Sequence, residues 1–217
     1  MSFFLLAFPA LISIVNPFGG TFIFLSATER FHPSLRRQLA RWVAIYSFII
    51  INASLYVGAY VLTFFGISIP VLRVAGGIVI ALSAWRMLNS SDSEPNAEPQ
   101  QPAELPAGDT LRRIAFFPLT MPLTTGPGTI SVAVSLGTAR PSTFQEGQLL
   151  WFIAQMTLAT VLLCGTIYLL YRHAGRISKT FGPTGTSVVM RLSAFLLFCI
   201  GIQILWNGAA ELLGSLK

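Results

Sequence analysis

Apolar residues run along this chain in long stretches that do not alternate with polar ones. Residues 47–51 (SFIII) and 193–202 (SAFLLFCIGI) are examples, whereas membrane-spanning strands would alternate with a period of two. A helix needs about 20 apolar residues to cross the hydrocarbon core of a bilayer. Six stretches reach that length, namely residues 1–28, 42–65, 67–88, 114–139, 149–171 and 187–213. The pattern predicts an all-α membrane protein with six transmembrane helices.

The composition agrees with a membrane protein. Hydrophobic residues make up 53% of the chain and charged residues 10%, whereas soluble proteins carry about 25% charged residues. This excludes an ordinary cytosolic enzyme and a disordered protein. The net charge of +6 does not indicate a nucleic-acid binder, which needs basic residues clustered on a wet face. Cys164 and Cys199 lie in apolar runs and are expected to be buried thiols.

The N-terminal stretch lacks the features of a signal peptide. No Lys or Arg precedes its apolar run and no A-x-A site follows it, so we expect a retained helix.

Basic residues and a linker predict the topology. Ten of the Lys and Arg residues flank or lie in the first, third and fifth connections, against two on the opposite side. By the positive-inside rule these loops are cytoplasmic and both termini are periplasmic. Residues 89–111 are rich in proline and acidic residues and contain no Lys or Arg, which predicts a flexible cytoplasmic linker. The linker separates two repeats of three helices, residues 1–88 and 112–217.

The two halves carry matching Pro-Gly clusters, NPFGGT at residues 16–21 and TTGPGT at residues 124–129. Proline and glycine both disfavour a continuous helix, so helices 1 and 4 are expected to be discontinuous. Because each half has an odd number of spans, the halves form inverted repeats, a signature of secondary transporters. The alternative is that both clusters are structural kinks. The candidate substrate-binding residues are Asn16, Pro17, Phe18, Gly19, Gly20, Thr21, Thr124, Thr125, Gly126, Pro127, Gly128 and Thr129.

Such a site favours a small zwitterion. Backbone groups freed in hydrocarbon must be buried in protein or line a wet cavity. Free N–H groups would suit a carboxylate and free C=O groups an ammonium, as in an amino acid.

The other polar residues in the spans are expected to have supporting roles. Asn52 and Gln155 are candidates for supporting the broken segments. Arg73 and Arg191 lie near span ends, where snorkelling to the interface is favoured over capping a broken helix of the opposite half. No Asp, Glu or His lies deep in a span, so neither an enzyme, nor a metal site, nor a cofactor, nor a carboxylate proton relay is expected.

Several motifs resemble the MarC family of bacterial inner-membrane proteins. They comprise Asn16 to Thr21, residues 65–70 (FGISIP), 72–77 (LRVAGG), 118–122 (PLTMP), 126–130 (GPGTI), and Asn207-Gly208. The resemblance implies six spans in two inverted repeats with discontinuous helices 1 and 4. It also implies that at least one branch of the family moves small neutral amino acids.

These lines together predict a secondary transporter of small neutral amino acids in the inner membrane, with alternating access between two broken helices. Its expected partners are the substrate and the lipid bilayer, without nucleic acid, and homo-oligomerisation is left open. The alternatives are a small-solute exporter or channel, and a non-transporting scaffold subunit.

Overall fold

The computed structural model describes residues 3–29, 31–89, 108–139 and 146–214, and all regular structure in these residues is helical. The α-helices are α1 (Phe3–Val15), α2 (Pro17–Ala27), α3 (Pro33–Phe64), α4 (Ile69–Asn89), α5 (Gly108–Ile114), α6 (Pro127–Gly137), α7 (Glu146–Arg172) and α8 (Ala174–Gly214). An irregular π-helical segment, Ala115–Thr124, joins α5 to the turn before α6.

Five helical stretches in the described residues are long and apolar enough to cross a membrane. They are Phe3–Ala27 (α1 with α2), Pro33–Phe64, Ile69–Asn89, Gly147–Arg172 and Thr184–Gly214. The fourth predicted span does not form one helix, because only the shorter α6 is regular there. The all-α class is thus observed, while the count of six spans stays a prediction.

The first span is interrupted at Asn16, which we call the first break. Asn16 has φ 45° and ψ 61°, in the left-handed region. Pro17 follows it and has no N–H, so the carbonyl of Ser13 loses its i+4 main-chain donor. Asn16 N–H still donates to the Ile12 carbonyl at 3.0 Å, and the Asn16 carbonyl accepts from Gly20 N–H at 2.9 Å, so main-chain bonding continues on both sides of the break.

The fourth predicted span is irregular from Phe117 to Gly126, over a longer distance than the GPG cluster alone suggests. Phe117 (φ −128°, ψ 121°) and Met121 (φ −107°, ψ 122°) are extended within the π-helical segment. Each of them precedes a proline, and proline pushes the preceding residue out of the helical region. The second break proper lies at Thr125 and Gly126, where Gly126 has ψ −179°.

Helix pairs pack in a pattern that repeats between the two halves. α1 contacts α6, and α2 contacts the π-helical segment, so the two interrupted spans run in opposite directions along each other. α3 contacts α6 and the π-helical segment of the second half, and α7 makes the corresponding contacts with α2 and α1 of the first half. α4 contacts α6, as α8 contacts α2. α3 also packs on α7.

The α4–α8 pair is in very close contact through glycine. A Cβ on Gly77 would lie 2.5 Å from the Leu205 nitrogen, and one on Gly201 would lie 2.6 Å from the Ala81 nitrogen. Small residues at such crossings let two membrane helices approach until their backbones touch.

The outer surface of the described residues is apolar, as expected of a chain that faces lipid. Phe64 is 85% exposed and Leu5 69% exposed. Cys164 is buried, but Cys199 is exposed. The prediction of a buried thiol is therefore wrong for Cys199, because an apolar run in α8 forms part of this outer surface.

The structure describes only the ends of the predicted linker. Residues 90–107 lie outside the described residues. α4 includes Asn89, and α5 begins at Gly108, so residues 108–111 are helical. Asp109 in the first turn and Arg112 in the last turn of α5 suit the helix dipole.

Candidate substrate site

The first break is closed by its own side chains. Asn16 Oδ1 accepts a hydrogen bond from the Gly19 N–H at 3.2 Å, which caps the start of α2. Gly19 has no room for a side chain, since a Cβ would lie 2.7 Å from Asn16 Nδ2 and 2.9 Å from Ser193 Cβ. Thr21 is buried and its hydroxyl donates to the Pro17 carbonyl at 2.6 Å.

Five of the six candidate residues at the first break are packed inside the molecule. Pro17, Gly19, Gly20 and Thr21 are buried and Asn16 is partly buried, whereas Phe18 is 58% exposed. The Phe18 side chain therefore lies on the outer surface, whereas the other five residues of the motif are buried or partly buried.

The second break presents buried hydroxyl groups. Thr125 N–H donates to the Thr120 carbonyl at 2.8 Å, and the Thr125 hydroxyl donates to Ser47 Oγ of α3 at 2.8 Å. The Thr124 hydroxyl donates to the Leu119 carbonyl at 2.8 Å. Both threonines and Ser47 are buried.

The remaining residues of the second motif divide in the same way. Gly128 and Thr129 are buried, Gly126 is partly buried, and Pro127 is exposed. Gly128 packs against α4, where its Cβ would lie 2.1 Å from Ile80 Cγ1. In the other half, Gly19 of α2 packs against Ser193 of α8.

Tyr171, near the end of α7, lies between the two Pro-Gly motifs. Its hydroxyl lies 3.0 Å from Thr124 Oγ1. A Cβ on Gly20 would lie 2.6 Å from the same hydroxyl oxygen. The ring stacks on Phe24 with 4.5 Å between centroids, and the residue is 2% exposed. Tyr171 therefore fills the space between the first and second motifs.

The sequence analysis did not identify Tyr171 as a site residue. It is the last residue of a predicted span, and a tyrosine at that position is typical of the aromatic belt at a membrane surface. Its role becomes visible only when α2, α7 and the π-helical segment are packed together. Ser47, the partner of Thr125, was missed for the same reason.

The predicted supporting residues lie elsewhere. Asn52 Nδ2 donates to the Phe48 carbonyl one turn earlier in α3, at 2.8 Å. Gln155 Oε1 accepts from the Phe4 N–H at 2.9 Å, which caps the start of α1 rather than the break at its end. In the structure, the Asn52 amide therefore bonds within its own helix and the Gln155 amide caps the start of α1. Their support of the breaks stays a prediction.

The two arginines near span ends differ from each other. Arg73 forms an ion pair with Glu211 at 2.5 Å and donates to Ser135 Oγ at 3.3 Å, well along α6 from the second break. Arg191 is exposed on α8. Arg73 therefore joins α4 to α6 and α8 at one end of the molecule.

Sequence comparison identifies the family. Residues 1–213 match the profile described as "MarC family integral membrane protein". The chain belongs to the MarC family. The UPF0056 inner membrane protein MarC of Salmonella paratyphi A is 32% identical over 209 residues, which cover 94% of this chain and 92% of that protein. The protein of the same description from Escherichia coli has the same identity and coverage. No solved structure matches the chain.

These matches make the chain an integral inner-membrane protein. The match to the family covers both breaks and Tyr171, which all lie within residues 1–213.

Proposed function

We propose that this MarC family protein is a secondary transporter of small neutral amino acids or similar small zwitterions. Substrate would bind between the first and second breaks, and access would alternate between the two sides of the membrane. The observation that carries the proposal is that Tyr171 contacts one residue of each Pro-Gly motif, Gly20 of the first and Thr124 of the second, at one buried location.

The repeating contact pattern supports two inverted repeats. The contacts of α2 with α7 and α8, and of α1 with α7, have counterparts in those of α6 with α3 and α4, and of the π-helical segment with α3. A pair of repeats related in this way permits two equivalent conformations, one open to each side. The six-helix inverted-repeat architecture is part of this proposal.

The chemistry at the breaks favours a small and dipolar solute. The polar groups there are the hydroxyls of Thr124, Thr125 and Tyr171, the amide of Asn16, and main-chain groups. None of these groups carries a full charge, so a solute with both signs of charge and no net charge suits them better than an ion does. Substrate specificity would depend on hydrogen bonds to these groups and on the space that opens beside Gly20 when Tyr171 moves away.

The described conformation is closed around the breaks. Thr125 and Tyr171 are almost fully buried, and the hydroxyls of Thr124 and Thr125 are bonded within the protein. Binding would therefore require Tyr171 to move and the threonine hydroxyls to exchange protein partners for substrate. In the proposed topology Tyr171 lies on the cytoplasmic side of the breaks, because α7 ends among the basic residues of the fifth connection.

Counterflow in proteoliposomes tests the proposal. Vesicles with the purified protein are loaded with an unlabelled amino acid and diluted into a trace of the same labelled compound, with glycine, alanine and serine tested in turn. We expect a transient accumulation of label that vesicles without protein lack. A matched variant, T125V, removes one hydroxyl at nearly constant volume and should reduce the rate.

The same experiment separates the alternatives. A passive channel equilibrates label without accumulation. A scaffold subunit moves no label with any amino acid, and that outcome would contradict the proposed function.

A further inference from the structure

A cavity lined by basic residues, which we call the basic cleft, adjoins the proposed substrate site at Tyr171. It has a volume of about 500 Å³ and lies between the start of α3 and the junction of α7 with α8. The charged and titratable residues that line it are Arg36, Arg37, Tyr171, Arg172, His173, Arg176 and Lys179. The lining contains no Asp or Glu.

Within the part of the chain that the structure describes, no cation of the basic cleft forms an ion pair with a carboxylate. The ion pair observed there joins Arg73 to Glu211, outside the cleft. Arg172 Nη1 instead donates to the Tyr168 hydroxyl at 3.0 Å. Five permanent positive charges in one concave space repel each other, and a bound anion would relieve that repulsion.

Arg36 is held in place but keeps unused donors. Its Nη2 donates to the carbonyls of Glu29 and Phe31, both at 3.2 Å. Its Nε is buried and has no hydrogen-bond partner among the described residues. Gly175 lies beside the same guanidinium, where a Cβ would be 3.7 Å from Nη1. A buried donor without an acceptor is costly, and an anion would supply one.

We propose that the basic cleft binds a phosphate-type anion. Guanidinium groups match phosphate oxygens through two parallel hydrogen bonds, and several of them converge here from two segments of the chain. Basic pockets between transmembrane helices at the cytoplasmic surface are a known form of site for lipid head groups. The same chemistry suits a soluble phosphate. The proposal does not depend on transport.

Binding is tested on the full chain, purified in a neutral detergent, by thermal shift at low ionic strength. One series uses inorganic phosphate, and a second uses mixed micelles with phosphatidylglycerol, compared with phosphatidylcholine. We expect the melting temperature to rise with anion concentration. A rise in melting temperature with inorganic phosphate would show that a soluble anion is enough for binding. A rise with phosphatidylglycerol but not with inorganic phosphate would identify the ligand as a lipid head group.

A pair of matched variants locates the site. R37Q/R176Q removes two exposed cations from the basic cleft, and R41Q/R86Q removes two exposed cations outside it. We expect the first variant to weaken anion binding about tenfold and the second to leave it within about twofold. K179Q is a second, milder change in the cleft with the same expected direction.

Two results would overturn the proposal. One is the absence of any shift with both phosphate and phosphatidylglycerol. The other is equal weakening by R37Q/R176Q and R41Q/R86Q, which would indicate attraction to the overall positive charge.

Discussion

Replacing Gly20 by alanine should push Tyr171 away from the breaks. Gly20 lies within α2, and the added Cβ would be 2.6 Å from the Tyr171 hydroxyl oxygen. Such overpacking costs about 1–3 kcal/mol. Displacing the ring would also break the hydrogen bond to Thr124, which contributes about 1 kcal/mol. The two losses add to about 2–4 kcal/mol, so for a chain of this size the melting temperature should fall by roughly 4–16 °C.

A double-mutant cycle makes this prediction specific. Y171F alone removes the hydroxyl and should cost about 0.5–1.5 kcal/mol. Once the hydroxyl is absent, the nearest ring atom to the new Cβ is Cζ at 3.5 Å, an ordinary contact. G20A should therefore cost little in the Y171F background, so the coupling energy should equal most of the cost of G20A alone, about 2–4 kcal/mol.

The assay is thermal and chemical unfolding in detergent of G20A, Y171F and G20A/Y171F. The control is G165A, also in a helix, where a Cβ meets no atom within 4 Å. That control should be neutral or stabilising by up to about 1 kcal/mol, because alanine favours a helix. Strict additivity of G20A and Y171F would refute the contact between Gly20 and the Tyr171 hydroxyl.

Three further predictions concern the packing of the breaks and the helices. S47A should lower the free energy of unfolding by about 1–3 kcal/mol, because it leaves the buried Thr125 hydroxyl without its acceptor. S47A/T125V should recover part of that loss. Unfolding curves in which the double variant is the least stable would contradict this prediction. G77A should cost at least about 2 kcal/mol, since its Cβ would meet the main chain of α8, and a melting temperature equal to that of the unmodified protein would disprove the close crossing. R73Q and E211Q should each change the free energy of unfolding by less than about 1 kcal/mol, because the ion pair is partly exposed. A loss above about 3 kcal/mol in a denaturant titration would contradict this small contribution.

The interruptions themselves were predictable from the sequence. Proline removes a main-chain donor and glycine adds backbone freedom, so the clusters around Pro17 and Pro127 indicate broken helices, whereas Pro9 without glycine neighbours is accommodated within α1. The extent of the second break was less predictable. The helical pattern of apolar residues from 114 onwards suggested a continuous helix up to the GPG cluster, while the prolines hold Phe117 and Met121 in extended conformations.

The contacts between the breaks were not predictable, because they depend on how distant segments pack. Tyr171 reaches Gly20 and Thr124 only after three separate elements come together. Asn52 shows the opposite case, since an amide in an apolar span suggested an interhelical role and the structure bonds it within its own helix. A polar residue in a membrane helix thus indicates a hydrogen bond but not its partner.

Substrate protection of a single cysteine at the second break tests the central claim most directly. In a C164A/C199A background, T125C is treated with a water-soluble maleimide in the presence and absence of small neutral amino acids. Q38C, at an exposed position of α3, serves as the control and should react regardless of amino acid. We expect T125C to react slowly and a transported amino acid to slow the reaction several-fold further. A cysteine there that no reagent reaches before denaturation, or that reacts at the same rate with every amino acid, would contradict a substrate site between the two breaks.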